Sequence, residues 1–312
     1  MGLLSSHRIS LEKTYMNPKS KVFIVNSISD GRLALCCEYG VIQILDLSTM
    51  EIDIMIEEPN EIYIEMNTFS DNRVILASAQ GKMSLFKIKD NTYEKLAQID
   101  TNTNAWIIKV IILNDYTLCS ITRNNKILFF ESEELYRELK VIETNERLCS
   151  IYQMKKNKDN LICFYNDDSK HLFELNTYTV VKSIYNVECY SRRSMLEISD
   201  DKMLIGGENK ISLFNVKIFQ IESIIVNSQF DRIESFLSLD DKTVVIGCGN
   251  LNNGNVIVIE IEKYSIIDRI DNVHTINVDT LGRIDDAMFV SSSWDHKINI
   301  YLNRKNNINN IH

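Results

Sequence analysis

The chain has 312 residues, 45% hydrophobic and 25% charged, with a formal net charge of −9 at pH 7. That composition is ordinary for a soluble globular protein, and the acidic balance argues against a nucleic-acid backbone, which wants clustered Lys and Arg. No apolar run approaches the ~18 residues of a membrane span, and the apolar part of MGLLSSHR is too short for a secretory signal.

In chain order, HRISLEKTY (7–15) comes first, strand-like and outside any full unit. Four strand candidates follow: VFIVNSI (a), RLALCCE (b), VIQILDL (c) and EIDIMIE (d). Strands b are dense in Val, Ile, Leu and Cys, as expected of strands buried on both faces. An acidic turn stands before each strand b, and this arrangement recurs seven times. The turn acids are Asp30, Asp71, Asp115, Asp159, Asp200, Asp240 and Asp285, spaced by 41, 44, 44, 41, 40 and 45 residues. The turns between b and c carry Glu38, Tyr39 and Gly40, then Gln80 and Gly81, then Asn124 and Asn125. Several of these residue types tolerate the positive φ that tight hairpins demand.

A period near 40–45 with four strands per unit predicts an all-β, seven-bladed β-propeller. One such domain would use the whole chain, 1–312. The sixth unit inserts GNLNNGN (249–255) between b and c, a long hairpin loop. The seventh stops after its strand c, near Leu302, and the polar residues 303–312 are expected to be a disordered tail. The missing outer strand is available at the chain start. Residues 7–15 are therefore expected to close the last blade and remove an open edge.

The seven cysteines form no C-x-x-C pair. Cys36, Cys119, Cys163 and Cys248 fall in strands b and read as small reduced core residues of an intracellular, cytoplasmic protein. Zinc-ligand spacing is absent, as are P-loop, G-x-G-x-x-G and G-x-S-x-G motifs. The adjacent acid pairs, such as Asp240 and Asp241, point to opposite faces of a strand and serve better as turn caps than as acid–base pairs. Neither metal, cofactor nor catalytic activity is expected.

SSSWDHKINIYL (291–302) resembles the end of a WD40 repeat, and by period and strand order the resemblance covers about 7–302. It implies a buried network of His274, Ser291 or Ser293, and Asp295, with Tyr301 where the family carries Trp. The corresponding acid position in the first five units holds Tyr39, Gln80, Asn124, Asp168 and Glu208, and an insertion occupies it in the sixth. The chain is thus similar to a divergent member. The resemblance also implies that the rim formed by d–a connections and b–c turns holds partner proteins. That rim contains Tyr63, Trp106, Tyr190, Arg192, Arg193, Phe230 and Arg232, types enriched at interface hot spots.

The expected function is a non-catalytic protein-interaction scaffold or a subunit of an intracellular complex. Two alternatives carry separate signals. Arg192–Arg193 in YSRRSM weakly resembles the Phe-Arg-Arg-Gly motif of phosphoinositide-binding propellers, and two Arg can hold a phosphate. A propeller enzyme would need polar side chains converging on the central channel, which the sequence does not obviously supply. Membrane contact would require that Arg pair or acylation at Gly2, since M-G-x-x-x-[ST] is matched by residues 1–6.

Overall fold

In a computed structural model of the protein, 28 strands form seven four-stranded antiparallel sheets. The structure describes residues 7–17, 20–28, 31–114, 117–131, 136–155, 158–189 and 191–305. Blade 1 is β2 (Val22–Ile28), β3 (Arg32–Cys37), β4 (Val41–Asp46) and β5 (Ile52–Glu57), hydrogen-bonded in that order. Blades 2 to 6 repeat the order over 63–100, 107–143, 148–184, 195–226 and 232–274. The chain is a seven-bladed β-propeller.

Burial explains the composition of each position. All six residues of β3 are buried, because strand b lies between neighbouring blades on both faces. Seven apolar clusters fill the spaces between adjacent blades, among them Ile24, Cys36, Ile44, Tyr63 and Phe86 between blades 1 and 2. Outer strands alternate only loosely and are mostly exposed, as in blade 4 over Thr179–Ile184. Asp71, Asp240 and Asp285 cap their a–b turns through backbone donors. Asp285 Oδ1 accepts from the N–H groups of Ala287 and Met288, both at 2.7 Å, and Asp240 accepts from that of Lys242 at 3.0 Å.

Left-handed residues mark the b–c turns: Tyr39, Gly40, Gly81, Asn125, Asp168, Asn209 and His296 all have positive φ. Gly40 has a second reason to lack a side chain, since an added Cβ would lie 2.1 Å from the Glu58 carbonyl oxygen. Several c–d turns also hold a left-handed residue, and there it is large: Tyr178, Phe219 and Tyr264 among them. Phe219 meets the strand-c ring of Phe214 edge-on, with centroids 5.0 Å apart. Ring packing thereby offsets part of the cost of an unfavourable φ.

The ring closes with β1 (His7–Met16), which pairs antiparallel to β28 (Lys297–Lys305) from His7↔Lys305 to Met16↔Lys297. The seventh sheet therefore runs β1, β28, Met288–Ser292 and Thr280–Arg283. The expected polar tail begins later than 303, because residues 303–305 extend β28. Its remainder, 306–312, lies outside the described residues, as do Gly2 and Tyr190. Among the described residues, no helix is long and apolar enough to cross a membrane.

Candidate interaction surface

One face of the ring carries the d–a connections and b–c turns. Trp106 ends a d–a connection and is 47% exposed, with the Arg123 guanidinium 4.8 Å from its ring centroid. Trp294, on the b–c turn of blade 7, is 49% exposed. Phe23 meets it edge-on at 5.7 Å and Lys21 lies over its ring. Lys21 Nζ is 3.3 Å from Glu38, whose neighbour Tyr39 is 75% exposed. The Tyr39–Gly40 turn abuts the connection that ends in Ile62, which is 48% exposed. Trp294, Tyr39, Ile62 and Trp106 thus follow one another over blades 7, 1, 2 and 3. Charges punctuate the arc, including a Lys82–Glu61 pair at 3.1 Å.

Two other residues read as rim anchors are buried. Tyr63 is fully buried, its hydroxyl donating to Ser84 Oγ at 2.9 Å. Its predecessor Ile62 takes the outward side, since successive side chains at a strand start point to opposite faces. Phe230 is also fully buried, packed with Ile233 and Phe236. Arg232 is half-buried and its Nε is 2.5 Å from Glu234. Neither Tyr63 nor Phe230 offers surface to a partner.

Arg192 and Arg193 turn into the ring. Arg192 Nη2 donates to the Ile64 carbonyl at 2.6 Å and Nη1 to that of Ile108 at 3.1 Å. Arg193 Nη2 donates to Glu65 Oε2 at 2.8 Å, and Arg192 Nε is 3.3 Å from the same oxygen. The Arg192 carbonyl accepts from Lys109 Nζ at 2.7 Å and Ser150 Oγ at 2.9 Å. This segment belongs to the start of blade 5, yet it bonds to blades 2, 3 and 4. Two guanidinium groups spent in this way are poorly placed to grasp a lipid headgroup on the rim.

Where blade 6 leads into blade 7, His274, Ser291, Asp295 and Tyr301 come together. His274 Nδ1 is 3.0 Å from Asp295 Oδ1 and Nε2 is 2.7 Å from Ser291 Oγ, which is 2.9 Å from the Tyr301 hydroxyl. Ser293 is buried and accepts from Asp295 N–H at 3.4 Å. Burial alone would push the Asp295 carboxyl up. The His274 hydrogen bond and charge, with N–H donors of Thr275 and Lys297, outweigh it and hold the group below the usual carboxylate range. The set is enclosed, so its chemistry is that of satisfied buried polar groups.

Cys248 is buried, and burial pushes its thiol up to about 12, with Asp231 adding to the rise. A thiol so rarely ionised is a poor nucleophile. Among the described residues, no group of three or more His, Cys, Asp and Glu could hold a metal ion. No family model matches the chain, and no curated protein matches its sequence.

The exposed arc was only partly legible. Trp106 was, but Tyr39, Ile62 and Trp294 were not. Trp294 was hidden by its own motif: in Trp-Asp-His the acid turns inward to His274 and the indole outward. The signal that could have found the other two is position alone, in a b–c turn and at the end of a d–a connection.

Proposed function

We propose that this chain is a divergent WD40-like propeller acting as a non-catalytic platform for a protein partner within an intracellular complex. The observation that carries this reading is the exposed arc of Trp294, Tyr39, Ile62 and Trp106 on the face of d–a connections and b–c turns. Large aromatic side chains at contiguous surface positions are the type that anchors interfaces. A rigid ring can vary such loops without disturbing its core. The WD40 affinity rests on the His274–Ser291–Asp295 set and the repeat period. Cytoplasmic residence is inferred from seven free cysteines, five of them buried.

The test is quantitative affinity capture from native cells with the full chain and a Trp106→Ala/Tyr39→Ala/Trp294→Ala variant. A protein recovered stoichiometrically by the parent and lost by the variant, with thermal melting unchanged, supports the reading. Capture unaffected by the triple change but abolished by changes on the a–b turn face overturns it.

A further inference from the structure

Blades 3 and 4 leave a groove of about 580 Å³ between their outer parts, a volume within the ~300–1,000 Å³ of ligand clefts. Blade 3 bounds it with the end of its outer strand, Glu138–Glu143, and the connection 144–146. Blade 4 bounds it with Lys170–Glu174, its outer strand Thr179–Ile184 and the turns beside them. Five rings line the groove: Tyr165, His171, Phe173, Tyr178 and Tyr185. His171 meets Tyr165 edge-on with centroids 4.8 Å apart, and Tyr185 edge-on at 6.3 Å. Its Nδ1 is 2.8 Å from Ser183 Oγ, which fixes the ring. Burial pushes the His171 imidazole below its ordinary value, so the ring is neutral at pH 7. Tyr185 is 61% exposed, a large ring held in solvent beside aromatic neighbours. One wall already attracts a cation: Lys140 Nζ lies 5.9 Å from the Tyr178 ring centroid.

Among the described residues, every charged side chain in the lining is an acid: Glu143, Glu146 and Asp167. Glu143 is paired with Lys126 at 3.1 Å. Asp167 receives the N–H and hydroxyl of Ser169 on Oδ1 alone. The Ser169 hydroxyl, with smaller help from the charge of Lys170, holds that carboxyl below the usual range and therefore ionised. Lys170 itself is fully buried, its Nζ on the Ser169 carbonyl, and Arg147 is exposed without joining the lining. Neither Glu146 nor Asp167 has an ion-pair partner among the described residues. Two backbone bonds gather the acids and Tyr185 at one end of the groove. Asn166 N–H donates to the Arg147 carbonyl at 2.9 Å, and Val187 N–H to that of Asp168 at 2.9 Å. Aromatic walls attract a cation, and carboxylates with open oxygens favour one that also donates. A guanidinium meets both demands, with a flat face for the rings and a fork of N–H groups for a carboxylate. Ile142 and Val180 offer apolar cover to the stem that carries it.

We propose that this groove takes an arginine side chain of a partner peptide, its guanidinium between the Tyr185–His171 wall and the carboxylates of Glu146 and Asp167. The groove lies on blades 3 and 4, apart from Trp294 and Tyr39, and synthetic peptides probe it directly. Its outcome is therefore read separately from that of the aromatic arc.

The full chain is titrated with the capped tripeptide acetyl-glycyl-arginyl-glycinamide, followed by calorimetry and by the ring resonances of its histidines. Binding should saturate with a Kd of about 1 mM, as expected of one stacked, ion-paired side chain, and should shift the His171 signals. Glu146→Gln should weaken it about tenfold, the effect of losing a hydrogen bond between charged groups. Tyr185→Ala should weaken it about fivefold, the worth of one exposed cation–π contact. Both side chains are exposed, so both variants should melt like the parent. Absence of saturable binding overturns the proposal, as does equal affinity in the parent and both variants. Equal binding of the same tripeptide with norleucine in the middle marks an apolar cleft and also overturns it. A lysine or trimethyllysine tripeptide that binds as tightly as the arginine one overturns the choice of a guanidinium.

Discussion

Arg193 Nη2 lies 2.8 Å from Glu65 Oε2, joining residues 128 apart in the chain and three blades apart in the ring. Glu65 is nearly buried, and it is the carboxylate that faces both arginines. Breaking a buried pair strands the remaining charge, which costs more than the pair itself contributes. Glu65→Gln is expected to lower unfolding free energy by about 3 kcal/mol, read from urea denaturation. An unchanged midpoint would mean that the axial cations are solvated rather than tied.

Deleting residues 1–16 removes all of β1 and exposes the edge of β28. It also removes Ile9 from the space between blades 6 and 7, and the bond from its N–H to Asp268 at 2.7 Å. The truncated chain should lose several kcal/mol of the roughly 5–15 typical of a domain and gain a tendency to self-associate through the bared edge. A truncation that melts like the parent and stays monomeric would refute closure by β1.

Asp295→Ala should destabilise by about 1–3 kcal/mol, because His274 and two backbone N–H groups lose their acceptor. Asp168→Ala, at an exposed b–c turn, should do much less. The acid side has a defined sign. The folded carboxyl of Asp295 is depressed, so its contribution is full above the unfolded value of about 3.9 and is lost as pH falls through the folded value. The melting gap between parent and Asp295→Ala should therefore narrow below about pH 4.

Asp279 has the opposite sign. Its folded pKa is raised to about 7, so the folded state is favoured with the proton on. Stability from this group is full below about pH 4 and falls as pH rises through 7. Asp279→Asn should thus raise the melting temperature at pH 8 and leave it nearly unchanged at pH 4. A stabilisation equal at both values would remove burial of the charge as the cause.

At the partner surface, Trp106→Ala and Trp294→Ala should each weaken binding of a purified partner by about 2 kcal/mol or more. Tyr63→Phe should leave binding intact and cost only the hydrogen bond to Ser84, about 1 kcal/mol of stability. Calorimetric titration separates the two effects. Loss of binding in Tyr63→Phe alone would place the interface elsewhere.

Seven repeats, four strands in each, buried strands b and the closing role of residues 7–15 are legible in the sequence because each rests on local periodicity. An apolar run bounded by turns can be seen within about ten residues. The Trp-Asp-His motif was equally legible, since its partners lie within 21 residues of each other. Which rim residues face outward was not, because Ile62 and Tyr63 are adjacent and only the blade packing decides which of them enters the core. The fate of Arg192 and Arg193 was less legible still. As a sequence they are two charges in a polar connection. Closing the ring brings the carbonyls of Ile64 and Ile108 and the carboxylate of Glu65 to the axis. Repetition along the chain determined the architecture, while the direction of individual side chains waited on contacts between distant segments, such as that of Arg193 with Glu65 128 residues away, which exist only once the ring is closed.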